Sequence, residues 1–186
     1  MTGDVELFGV DQAVHEKVMA EAERIKALGE AAEREARDPV NQPTINNWLE
    51  AMGNTDPRWK AGEAPPSMAQ VWTMRGLRAQ RAADDPLGRA TELFDQAGYT
   101  SVVATNCDTV YHRYTRPGEQ VTISSDLTDV VGPKQTALGE GWFFTTRNVW
   151  SVGEEVVAEM SFRILKFRPA AKTQPAEPEA PQVPDD

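Results

Sequence analysis

Cysteine, histidine and positive charge are all scarce in this chain, which has one Cys, two His, and 19 Lys and Arg against 29 Asp and Glu over 186 residues. The single Cys107 excludes an internal disulfide and any multi-cysteine metal site. A net charge of −10 excludes nucleic acid or an anionic membrane as the main partner, because either needs a basic surface. Residues 170–186 contribute −3 of it, so the body can hold an anionic ligand only through a local patch of Arg and Lys. No run approaches the roughly 20 apolar residues of a membrane span. Met1 to Phe8 is acidic rather than an apolar leader, so a cytoplasmic protein is expected. No Gly-x-Gly-x-x-Gly or Walker pattern follows a candidate strand, which removes the common phosphate loops.

What the chain does have is a helical first half and a β-rich second half. Val14, Val18, Ala22, Ile25, Leu28 and Ala32 recur at spacings of three and four, predicting a helix over residues 11–37 with a kink or early end at Gly29. Pro39 and Pro43 stop it, and Thr44 is the expected cap of a second helix through Trp48 to Met52. A third is predicted over Ser67 to Leu77, with Met68, Val71, Trp72 and Arg75 on one side. Asp84-Asp85-Pro86 opens a fourth, and Gly98 ends it.

After Tyr99 the period becomes two. One or two strands lie in Tyr99 to Tyr114, followed by a turn at Arg116-Pro117-Gly118-Glu119. Val121, Ile123 and Leu127 alternate with polar residues until Gly132-Pro133 breaks the pattern, and Trp142 to Trp150 resumes it. After Gly153, residues Val156, Ala158, Met160, Phe162 and Ile164 form one apolar face of a final strand. From Pro169 onward the Ala, Pro, Glu and Gln composition predicts a disordered linker or tail. The expected organisation is an N-terminal helical extension over 1–43, a domain over 44–168 and a tail over 169–186.

The segment Gly53-Asn54-Thr55-Asp56-Pro57-Arg58-Trp59, followed by Ala64-Pro65-Pro66, resembles the motif of the MaoC-like (R)-specific enoyl-CoA hydratases. In that family a helix ends in Gly-Asp-x-Asn-Pro, and a His follows two residues later. The Tyr111 to Glu119 stretch is similar to the family strand that ends in Arg-Pro-Gly-Asp. The resemblance covers roughly residues 44 to 168. It implies an α+β hot-dog fold with an antiparallel sheet. Only six residues separate Pro57 from Ala64, under two helical turns, so the family's central helix is expected to be truncated or missing.

In the family the Asp and His hold the water that adds to an α,β-unsaturated thioester. Here those positions read Asn54 and Trp59, and an amide and an indole cannot do general acid–base work. Both departures are similar to the MaoC-like domain of the larger subunit of heteromeric steroid side-chain enoyl-CoA hydratases. That likeness implies a non-catalytic, substrate-accommodating subunit and a second MaoC-like subunit carrying the catalytic Asp and His. It also implies a further C-terminal domain with a thiolase- or aldolase-type partner, and no cofactor or metal, the substrate being a CoA thioester. The runner-up is the inactive subunit of a fatty-acid (3R)-hydroxyacyl-ACP dehydratase. Two further readings are an acyl-CoA binding module without a hydratase partner and a thioesterase using Asp56 or Glu63 as base.

Under the first reading, Trp59, Pro65, Pro66, Met68 and Trp72 are the expected pocket wall, with Trp59 alternatively a packing aromatic. Lys134, Arg147, Lys166 and Arg168 are the cations expected to meet CoA phosphates. Asn54 is expected at the helix end in left-handed geometry. Asp56 is a turn residue rather than a displaced catalytic Asp. Asp108 and His112, four strand positions apart and so roughly 13 Å from each other, are not a dyad. His112 is assigned to packing or an interface, His15 to solvent and Cys107 to a buried filler.

Overall fold

Period-two alternation after Tyr99 becomes four long strands: β2 (Ser101–Tyr111), β3 (Val121–Thr136), β4 (Gly139–Val152) and β5 (Glu155–Pro169). With the two-residue β1 (Arg34–Glu35) they form one antiparallel sheet in the order β1-β3-β4-β5-β2. The chain is described by a computed structural model over residues 12–169. The predicted tail from 170 onward and the start of the first helix lie outside the described residues.

Among the described residues four α-helices precede or flank the sheet: α1 (Gln12–Ala27), α2 (Gln42–Ala51), α3 (Ala69–Trp72) and α4 (Pro86–Gln96). α1 ends early because Gly29 takes φ +70, after which Ala31 and Ala36 donate backbone bonds to Ser125 and Val121 on β3. The cap of α2 is Asn41, whose side chain accepts from the Thr44 N–H, and not Thr44 itself; Pro43 sits inside the first turn, where a missing N–H costs nothing. α4 starts at the Asp85 cap and stops before Gly98, φ +87, as the sequence predicts.

Three predicted boundaries move. The helix expected over Ser67 to Leu77 is a 3-10 turn at Pro66–Met68 followed by α3, which stops at Trp72. Continuation would use the Thr73 carbonyl, and that carbonyl instead accepts from Arg34 Nη2 at 2.9 Å. Gly132-Pro133 does not break β3, which runs through it with a register shift between Val131 and Lys134. β1 covers β3 only at Thr122 and Ile123, so Pro133 lies on an uncovered edge, where a strand proline is tolerated. On β5 a shift opposite Trp150 and Ser151 turns Val157 inward and leaves Val156 exposed, reversing the expected start of the apolar face.

Two hydrophobic clusters hold the helices on one face of the sheet, one at each end. Phe94 and Ala90 of α4 and Val18, Ala22 and Ile25 of α1 pack on Leu127, Trp142, Phe144 and Ile164. At the other end Ile45 and Leu49 of α2, Trp59, Met68 and Trp72 pack on Val121, Trp150, Val157 and Ala158. Residues before 44 therefore share the sheet and both cores. The sheet curls around these layers as a hot-dog fold. Where the resemblance implied a truncated central helix there is a single 3-10 turn, Pro57–Lys60.

Candidate functional site

The degenerate motif lies at the C-terminal end of α2. Gly53, at φ +61, occupies the left-handed position that the sequence reading gave to Asn54; no residue other than glycine has positive φ among the described residues. Asn54 Oδ1 instead accepts from the Asp56 N–H at 3.0 Å. Asp56 caps the 3-10 turn by accepting from the Arg58 N–H at 3.0 Å and from Arg58 Nη2 at 2.5 Å. Those bonds, the side-chain bond from Arg58 first, hold its carboxyl below the usual range, which makes it a weaker base than a free carboxylate. Glu63 likewise faces Arg116 at 3.3 Å.

Trp59 is buried, edge-to-face with Tyr114 at a centroid distance of 5.5 Å, and Arg58 lies 4.9 Å over its ring. Pro65, Met68 and Trp72 are buried beside it. Of the five residues expected to wall a pocket, Trp59, Pro65, Met68 and Trp72 are buried and Pro66 is half-buried, and none of them lines the cavity described next.

A cavity of about 440 Å³ opens on the concave sheet face between the two clusters, within the range of small-molecule sites. Its floor is Ile123, Ser125, Asn148, Trp150, Met160 and Phe162, with Cys107 toward the β2 edge. Its far wall is Arg34, Thr73, Arg75 and the loop to Leu87. Thr73 joins the two, because its hydroxyl accepts from Trp150 Nε1 at 2.8 Å while its carbonyl accepts from Arg34. Arg75 and Arg81 both reach the Asp85 carboxylate at 3.3 Å. Burial, and then the charge of Arg75, lower the pKa of Arg34, starting from a value so high that the group stays protonated.

Alternation along strands identifies this floor once registers are known: Cys107 faces the row of Phe162 and Thr146, and Ile123 the row of Trp150 and Ala158. Sequence reading placed Met160 and Phe162 on one face but missed Arg34, Thr73, Ser125 and Asn148, which come from four separate segments. Cys107 is exposed and not a buried filler, since β2 is the sheet edge.

The four expected CoA cations form no single patch. Lys166 is buried, with Nζ at 2.6 Å from Asp95 and 3.4 Å from the Thr100 carbonyl, so its charge is committed to α4. Arg168 Nη2 donates to the Ala97 carbonyl at 2.5 Å and its guanidinium lies 4.3 Å over Tyr99, closing the end of the same helix. Arg147 pairs with Glu159 at 2.6 Å on the outer face, where Glu159 also meets His112 at 3.0 Å. Lys134 is exposed near the end of β3. His15 is not solvated: its ring lies 5.2 Å from that of Trp142, with Nδ1 buried.

A family model described as "FAS1-like, dehydratase domain region" matches residues 26–160. The chain belongs to this dehydratase family. The MaoC-like resemblance and the hot-dog fold agree with that placement. A curated relative, the "3-oxo-4,17-pregnadiene-20-carboxyl-CoA hydratase alpha subunit" of Mycobacterium tuberculosis, is 57% identical over 174 residues, 88% of this chain and 54% of the relative. A chain in the "Crystal structure of the ChsH1-ChsH2 complex from Mycobacterium tuberculosis" superposes with a TM-score of 0.80 at 57% identity, over 83% of this chain and 98% of that one. The chain spans about half the length of the curated relatives it matches. No described helix is long and apolar enough to cross a membrane.

Proposed function

We propose that this chain houses the acyl group in a heteromeric enoyl-CoA hydratase, while a second MaoC-like subunit supplies the Asp and His that add water. The observation that carries the reading is a paired change in this dehydratase family member. The catalytic positions have become Asn54, bonded to its own turn, and Trp59, packed in the core, while the concave face holds a broad cavity. A wide bowl with Trp150, Met160 and Phe162 on its floor suits a rigid polycyclic acyl group better than a flexible chain, which needs a tunnel.

The acyl class follows the name of the Mycobacterium tuberculosis relative, which describes a pregnadiene with an oxo group at position 3 of the rings and the carboxyl-CoA at position 20 of the side chain, at opposite ends. The partner docks along β2, an edge strand that exposes Val102 at 59%, Val110 at 58% and Tyr111 at 40%. In the joint site the partner's carboxylate and imidazole hold a water against the C=C of the 2-enoyl thioester. Hydroxide equivalent adds at C3 and a proton at C2. This chain contributes position: it binds the rings, keeps water off them and fixes the alkene relative to the partner. With the thioester at the β2 edge the CoA extends away from Lys134 on β3, so its phosphates are met from the partner's side; the reaction needs no resident cofactor.

The test is loss of enoyl absorbance from a steroid 2-enoyl-CoA with the chain alone, with the MaoC-like partner alone, and with both. The expected result is full turnover of the steroid substrate only in the mixture. Turnover by this chain alone would sink the reading. Preference of the mixture for straight-chain enoyl thioesters would favour the fatty-acid alternative.

A further inference from the structure

The cavity has a direction. Across the concave face the strands run β2, β5, β4, β3, β1, from Cys107 past Phe162 and Trp150 to Arg34. Four steps of about 4.8 Å make a path of roughly 19 Å from the β2 edge to the β1 edge. A thioester held where a partner meets β2 therefore sends the far end of its acyl group toward β1.

The far end holds the charged side chains of the cavity, Arg34, Arg75, Arg81, Asp84 and Asp85. Arg34 stands there half-buried, and its one assigned hydrogen bond among the described residues is Nη2 to the Thr73 carbonyl at 2.9 Å. A guanidinium has five N–H donors, so one bond leaves most of them to meet something else. Its neighbours are already used: Arg75 lies on Asp85 and on the Gln80 carbonyl, and Arg81 on Asp85. Arg34 forms no ion pair among the described residues. Asp84 and Asp85 on the same wall offset two of its three arginine charges, so what is left over is the donor capacity of Arg34, which a single neutral acceptor can meet.

We propose that Arg34 is a specificity residue that donates a hydrogen bond to a carbonyl oxygen carried by the acyl group at its end farthest from the thioester. The proposal rests on the reading of this cavity as the acyl site. Thr73 is the positioning residue, since its carbonyl fixes the guanidinium and its hydroxyl fixes Trp150 beneath the rings. An acyl group without the oxygen leaves the remaining N–H donors of a half-buried guanidinium unmet, and that penalty produces selectivity against it.

The experiment uses the reconstituted complex of this chain with its partner and two steroid 2-enoyl-CoA substrates that differ only in whether the distal ring carries an oxo group or a methylene. The wild-type complex is expected to favour the oxo substrate in kcat/KM by about tenfold to a hundredfold, the range of a hydrogen bond to a charged group. Arg34→Met should shrink that ratio by tenfold or more, and Arg34→Lys, which keeps a donor, should retain part of it. Equal use of both substrates by the wild type overturns the assignment, and does so without any variant having to fold. A wild-type ratio that survives Arg34→Met also overturns it. Failure of the wild-type complex to hydrate either steroid substrate, with straight-chain enoyl thioesters still turned over, overturns the acyl-site reading itself and this assignment with it.

Discussion

The indole N–H of Trp150 donates to the Thr73 hydroxyl at 2.8 Å, a buried bond between residues 77 positions apart that fastens the floor of the cavity to its wall. Thr73→Val keeps the shape and removes the acceptor, leaving a buried donor unsatisfied. The expected cost is about 1–3 kcal/mol. Urea unfolding would show a lower midpoint at unchanged slope, and Thr73→Ser should recover most of the loss.

Restoring the motif residues should not restore the chemistry. Asn54→Asp with Trp59→His recreates the family pair, yet residue 59 points into the core against Tyr114. The double variant is expected to remain inactive on its own and to lose about 2–4 kcal/mol, as large-to-small core changes do. Enoyl hydration by the isolated double variant would contradict the placement of Trp59.

Lys166 and Asp95 are 2.6 Å apart, with side chains 3% and 41% exposed. Removing the acid strands a buried ammonium, so Asp95→Ala should cost about 2 kcal/mol, tempered by water reaching the open side. Lys166→Met replaces the charge with an apolar chain of similar length and should stay within about 1 kcal/mol of the wild type. Chemical denaturation of the two variants side by side would decide the order.

Arg147 first, then His112, hold the Glu159 carboxyl below its ordinary value of 4.5. A depressed folded pKa means that the pair adds stability above pH 4.5, and that this is lost as pH falls through the folded value. Glu159→Gln should therefore lower Tm at neutral pH and converge on the wild type in acid. The effect should be small and shrink further in high salt, because the pair lies on the open face of the sheet.

Signals carried by a few adjacent residues survived folding. Asp85 caps α4 and Gly98 ends it, the Arg116 to Glu119 turn forms, and the period-two stretches are strands. What failed depends on partners far along the chain. The stop of α3 is set by Arg34, 39 residues away, and the fate of Pro133 by how little of β3 the short β1 covers. The motif gave the family and placed Asn54 and Trp59 where the resemblance implies Asp and His. Packing was one of the two readings of Trp59, but the motif could not show that Met68 and Trp72 become core with it, because that depends on how the chain between Pro57 and Trp72 folds back onto the sheet. The cavity was the least legible part, being assembled from single residues between Ala31 and Phe162 that adjoin only through strand register.

Phe162 is the partly buried ring that packs against both hydrophobic clusters, one toward each end of the long strands. The curled sheet is thus backed by helices at its two ends and by the open cavity across its middle. A guest lying over Phe162 would serve as internal filling, so that occupancy and heat resistance become one property: saturating ligand should raise the melting temperature in step with its concentration.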